Sequence, residues 1–146
     1  MSGSSTSSTR PLLVRLPINV KTYDIDFANI VHNRVYIRWL EDLRQQILEP
    51  YLPIGQMFAG RYSPILTHTE VDYRRPIRFG DQIEGVMWVQ DLSRTRWTVQ
   101  AEILKGDVVA ATGLQSGYFA SLETLRPIRV PALLRLVWEE QRAGSA

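Results

Sequence analysis

The chain reads as an α+β domain, with one long helix set against an antiparallel sheet. Three observations predict this: a single long amphipathic segment in the first third, at least four later strands joined mostly by short turns, and no alternating strand–helix series. Strands linked by hairpins run antiparallel, and a sheet with one apolar face needs the helix to cover it. No glycine-rich loop opens a helix, so nucleotide-binding folds with helices on both faces find no support. At 146 residues the length suits one domain with a substantial core. Its predicted boundaries are a flexible tail over 1–11, one domain over 12–142 and a flexible end over 143–146.

Leu12 to Tyr23 is the opening strand, and Pro17 marks it as an edge or a bend. Arg34 to Glu49 is the long helix: Tyr36, Leu40, Leu43 and Ile47 form one stripe, with Arg38, Glu41, Gln45 and Glu49 opposite. Trp39 widens the apolar face, as suits a helix wrapped by a sheet. Pro50 stops the helix, and Pro53 and Gly55 continue the break. Residues 51–66 read as irregular. Thr69, Val71 and Tyr73 then alternate with Glu70, Asp72 and Arg74, and Pro76 to Asp81 turn the chain at Gly80. Gln82 to Asp91 is the next strand. Beyond a tight turn, Trp97, Val99, Ala101 and Ile103 face one way and Arg96, Thr98, Gln100 and Glu102 the other. Gly106-Asp107 makes a hairpin into Val108 to Leu122. Pro127 to Pro131 is a linker, and Ala132 to Gln141 a short terminal helix.

Composition removes several function classes. Without cysteine there is no disulfide, thiolate nucleophile or thiolate metal site, and two histidines make a metal centre an unpromising reading. The +2 charge is small, and the basic residues are fifteen arginines against two lysines. They are spread along the chain as a solvated face or as subunit contacts, with no tail suited to nucleic acid. Met1 to Arg10 has no apolar core of a secretory signal, and the apolar runs are too short to span a bilayer. We expect a cytoplasmic protein that needs neither nucleic acid, membrane, metal nor bound cofactor.

The most informative stretch is Tyr23 to Arg44. It sets Asp24, Asp26, Asn29, His32 and Asn33 in a short polar segment running into the long helix. Such a turn delivers a carboxylate and hydrogen-bonding groups to a helix N-terminus, where unpaired backbone N–H groups carry partial positive charge. That is one way to act on a carbonyl compound. An isolated aspartate before a helix would by default be a turn or capping residue.

The segment D-x-D-x-x-N-x-V-H-N-x-x-Y, from Asp24 to Tyr36, resembles the 4-hydroxybenzoyl-CoA thioesterase-like branch of the hotdog-fold superfamily. Tyr73 to Asp81 and Arg126 to Pro131 resemble the same family, and the likeness runs over roughly residues 14–135. The resemblance implies a hotdog fold, with a five-stranded antiparallel sheet wrapped around one long central helix and followed by a short C-terminal helix. It also implies dimers joined edge to edge and often paired into tetramers, with sites between subunits that hydrolyse thioesters. The expected partners are an acyl-CoA or aroyl-CoA substrate, or an acyl carrier protein bearing the acyl group, and a second copy of the chain in a homodimer or homotetramer. A non-catalytic acyl-binding module is the alternative.

By that resemblance Asp26 is the catalytic carboxylate, as general base on water or as nucleophile, and burial in a closed pocket would raise its pKa. The backbone N–H of His32, with that of Asn33, would stabilise the carbonyl oxygen. Asn29 stands where many relatives have glycine, and asparagine tolerates left-handed geometry best among the other residues. Asn33 replaces a histidine found in some relatives, and cannot accept a proton. Asp24 is expected to be structural, bonding loop N–H groups or an arginine. Tyr36, with Trp39, is core or pocket wall, and His68 is a surface residue or part of the pocket rim. Arg74, Arg75, Arg78, Arg94, Arg96 and Arg129 are candidates for coenzyme A phosphates, Arg74 and Arg75 first among them.

Overall fold

The computed structural model describes residues 9–144. Strand β1 (Val14–Ile18) leads through a 3-10 turn (Thr22–Asp24) into helix α1 (Asn33–Leu48) and the short helix α2 (Ile54–Gly60). Strands β2 (Tyr62–Tyr73), β3 (Ile83–Leu92), β4 (Arg96–Lys105) and β5 (Val108–Ser121) follow, and helix α3 (Ala132–Gly144) ends the chain. One antiparallel sheet results, in the order β1-β3-β4-β5-β2. β1 and β2 are its edges. Pro17, which has no N–H to donate, lies on the β1 edge opposite Glu84.

The wide apolar face of α1 explains its place. Val35, Tyr36, Trp39, Leu40, Leu43, Ile47 and Leu48 are all buried, and Leu43 is wholly enclosed. The inward residues of β4 meet them as the alternation predicts: Trp97, Val99, Ala101 and Ile103 are buried, and Trp97 packs on Phe119 of β5 at 5.2 Å. Gly113 leaves room for Leu40, whose methyl carbons lie 3.2 Å from where a Cβ would stand. Helix α3 closes the far side. Its Leu134 is fully buried, and the Trp138 indole N–H donates to the Val89 carbonyl at 2.9 Å.

Four expectations need correction. Residues 51–66 are not irregular, since α2 and the start of β2 occupy them. Ile54, Met57 and Phe58 have helical spacing after Pro53, and Arg61 ends the turn in the left-handed region. The opening strand is shorter than 12–23, because Leu12 has a positive φ and the chain leaves the sheet after Ile18. The described part of the expected tail is also held down. Arg10 pairs with Glu102 at 3.2 Å and lies 4.0 Å over the Trp88 ring, while the Pro11 carbonyl accepts from Val89 N–H. Helix α3 likewise continues to Gly144, past the expected domain end. Residues 1–8 and 145–146, the rest of both expected flexible ends, lie outside the described residues.

Edge strand β2 runs opposite to α1. Its end meets the start of the helix, where the Tyr73 hydroxyl donates to the Asn33 carbonyl at 3.1 Å and the ring stands edge-on to Tyr36. Its beginning, Tyr62 to Leu66, shares a cavity with Arg44 and Leu48 near the helix end.

Candidate active site

The polar segment folds around Asp26. Its Oδ1 accepts the N–H groups of Ala28 at 2.9 Å and Ile30 at 3.0 Å, while its main chain exchanges bonds with Asn29 and Ile30. Oδ2 has no hydrogen bond among the described residues. The Ile30 N–H holds the Asp26 carboxyl below its ordinary range; slight desolvation opposes this, and the Ala28 N–H and nearby His32 act with Ile30. In the single chain the carboxylate is exposed, so the pKa rise expected from burial is absent and the shift has the opposite sign.

Asn29 sits at φ +59°, the left-handed geometry that the glycine substitution required. Its side-chain oxygen also accepts from Phe79 N–H at 3.0 Å. With Val31 N–H on the Ile77 carbonyl and Arg78 on the Ala28 carbonyl, this ties the Asp26 loop to the turn before β3. Asn29 is thus a loop anchor.

Asp24 anchors the loop from the other side. It is 1% exposed, accepts Arg38 at 2.7 Å on Oδ1 and takes the Lys21 N–H on Oδ2 at 2.9 Å. The structural role expected for it is the one observed.

The expected oxyanion donor changes. The His32 N–H is already bonded to the Asp24 carbonyl at 2.9 Å, and Val35 N–H turns back to the His32 carbonyl. The N–H groups of Asn33 and Arg34 are left unpaired among the described residues at the start of α1. These are the donors a carbonyl oxygen could meet.

Tyr36 is core and not a substrate contact in the single chain. It is buried between Trp39 and Tyr73, and burial, helped by Tyr73, pushes its hydroxyl up to about 12. His68 is an exposed mid-strand residue of β2, paired with Glu70 at 2.8 Å on the surface of the single chain. The arginines separate into two groups. Arg74 and Arg75 follow β2 at the Asp26 end, where both backbone N–H groups meet the Ala110 carbonyl and Arg74 pairs with Asp72; Arg78 is nearby. Arg94 and Arg129 instead line a cavity with Arg135.

None of the cavities described has Asp26 in its wall. Beside Asp26 stands a fully exposed Phe27, with Phe79 half-exposed on the turn that the loop is tied to. The carboxylate and donors are therefore assembled on an open surface. Sequence reasoning missed one polar group, Arg44 with Gln115 under the sheet. Its signal was an arginine four residues after Leu40, on the buried side of the helix.

A family model described as the thioesterase-like superfamily matches residues 20–137. A 1,4-dihydroxy-2-naphthoyl-CoA hydrolase of Synechococcus sp. (strain CC9605) is 26% identical over 107 residues, 68% of this chain and 72% of that one. A DHNA-CoA thioesterase from Staphylococcus aureus superposes with a TM-score of 0.78 at 20% identity, covering 90% of this chain and 89% of its own. Another Staphylococcus aureus protein, solved in complex with CoA, gives 0.79 at 17% identity, with 94% and 86% covered. At such identities the two structures speak for the fold alone.

Proposed function

The chain belongs to the thioesterase-like superfamily, and we propose that it hydrolyses an acyl-CoA or aroyl-CoA thioester to the free acid and coenzyme A through Asp26. The observation that carries this reading is the free Oδ2 of a carboxylate locked by Ala28 and Ile30, beside a helix start with two unpaired N–H groups. Ionised at neutral pH, Asp26 attacks the thioester carbon or takes a proton from water. The Asn33 and Arg34 N–H groups receive the oxygen as its charge grows, a contribution of a few kcal/mol in comparable sites (about 3). Asn33 can orient water but not carry its proton.

The open surface around Asp26 supports a site completed by a second copy. β2 is an edge with unpaired backbone groups, and such edges favour strand pairing. Tyr73, Phe58, Ile37 and Ile54 are exposed along that side. In a two-fold pairing along β2, the beginning of one strand lies beside the end of the other. The Asp26 loop of one copy would then face the Arg44–Leu66 cavity of its partner, with Arg74, Arg75 and Arg78 of one copy and Arg94 and Arg129 of the other at the same end for phosphates. A homodimer is the minimal unit in this reading, and two such dimers pair into a tetramer.

Thiol release from a panel of aryl, short-chain and long-chain acyl-CoAs, with matched acyl-carrier substrates, tests the function. Asp26→Asn is expected to lower kcat by about a hundredfold or more. No turnover of any member, or a variant within a few-fold of the native rate, would remove Asp26 chemistry from consideration.

A further inference from the structure

The cavity beside β2 has an apolar wall and one unusual polar feature. Leu48, Ile54, Met57, Phe58, Leu66 and Leu122 supply the apolar lining of a half-open cavity of about 250 Å³, more than the roughly 150 Å³ that holds benzene in an engineered core. Into the same wall comes Arg44, from the side of α1 that faces the sheet. Its Nη1 donates to the Gln115 side-chain oxygen, and the Gln115 amide in turn donates to Thr69 Oγ1 at 3.2 Å. Gln115 is 1% exposed and on β5, so the guanidinium is held from beneath by a fixed partner.

No carboxylate lies within ion-pair distance of Arg44 among the described residues. Glu41, one turn earlier and also in the cavity wall, acts on it at longer range, and burial draws the guanidinium below its usual pKa. Arginine stays charged even so. A partly buried cation with only an amide partner is costly to keep, and a helix packed for stability alone would do better with an apolar residue there. No enclosed side-chain nitrogen of the described residues lacks a partner, so the unbonded guanidinium N–H groups reach open space.

We propose that Arg44, held by Gln115, is a specificity-determining residue that reads an oxygen substituent on the acyl group entering this cavity. The guanidinium donates to the oxygen, and Glu41 on the same wall accepts from a hydroxyl proton. The pair therefore favours a hydroxyl over a carboxylate, which Glu41 repels, and over an unsubstituted ring, which takes water from the remaining guanidinium N–H groups and offers them no acceptor. This rests on the thioester-hydrolysis reading for its context but uses different residues, and the two fail separately.

The experiment compares 4-hydroxybenzoyl-CoA with benzoyl-CoA in the native chain and in Arg44→Met and Arg44→Lys. The native kcat/KM ratio is expected to favour the hydroxylated substrate by about ten- to a hundredfold, the range of one hydrogen bond to a charged group. Arg44→Met brings the ratio close to one, and Arg44→Lys keeps part of it. Thermal melts and light scattering of the variants confirm native fold and assembly. A native ratio near one, or a ratio that Arg44→Met leaves in place, overturns the proposal. If the native chain hydrolyses neither substrate, the benzoyl-type substrates drop out of the hydrolysis reading, which the wider panel decides separately. The same ratio is then read as affinities for the two non-hydrolysable thioether analogues by calorimetry, where equal affinities in native and Arg44→Met chains overturn it.

Discussion

Removing the Asp24 carboxylate should loosen the whole catalytic loop, and the contacts give the size of the effect. Asp24→Ala leaves the Lys21 N–H without its acceptor and Arg38 without its partner. An unpaired, part-buried N–H costs about 1–3 kcal/mol. Arg38 is half-exposed and returns to water, so its loss adds no more than about 1 kcal/mol. The sum is about 3 kcal/mol, or a fall in Tm of roughly 6–12 °C for a domain of this size. Asp24→Asn keeps an acceptor for Lys21 and loses only the charge, so about 1 kcal/mol is expected. Denaturant and thermal unfolding at one fixed protein concentration measure both, since the proposed assembly would make Tm concentration-dependent. With its frame loosened, Asp26 is displaced and kcat drops by about ten- to a hundredfold in the alanine variant. Equal stabilities of the two variants, or a loss under about 1 kcal/mol in Asp24→Ala, would refute the anchoring role.

Three further outcomes are expected. Because the Ile30 N–H lowers the Asp26 pKa from 3.8, the acid limb of kcat/KM inflects below that value; the stability this group contributes is present above the unfolded pKa and lost as pH falls through the folded one. An inflection above about pH 5, with the fold intact by circular dichroism, would show that assembly reverses the shift. Gly117→Ala sets a Cβ 1.9 Å from the Ile65 carbonyl oxygen, a backbone clash beside the β2 bulge, and costs about 3 kcal/mol or more by thermal melt; a neutral result would mean that β2 shifts freely on β5. Light scattering gives at least twice 16.8 kDa, and a mass at that single value with full activity would exclude a shared site.

The elements set by a strong period were legible in the residues. The Leu40–Leu43–Ile47 stripe and the Trp97–Ile103 alternation each have one answer, because burial on one face fixes the side. Helix α2 was hidden by Pro53 and Gly55, which signal a break, although its packing rests on Met57 alone among its buried residues. The fold of the polar segment was readable at Asp24 and Asp26, whose carboxylates accept N–H groups within four residues, and at Asn29 through its left-handed backbone. The His32 N–H was not, since its acceptor is a backbone carbonyl and carries no mark in the side chains. Arg44 escaped for a different reason: its partner Gln115 lies 71 residues away, and only the β2–β5 register brings Thr69 beside it.

The opposite directions of β2 and α1 reach beyond one chain into genetics. In the proposed dimer, a two-fold axis across the β2 edge would turn a polarity within the chain into a reciprocal exchange, each copy contributing its acid to one site and its cavity to the other. Two alleles, one impaired at Asp26 and the other at the cavity wall, would then not behave as a pair of simple losses. In a mixed pair both faults fall in the same site, and the second site inherits a sound acid from one parent and a sound cavity from the other.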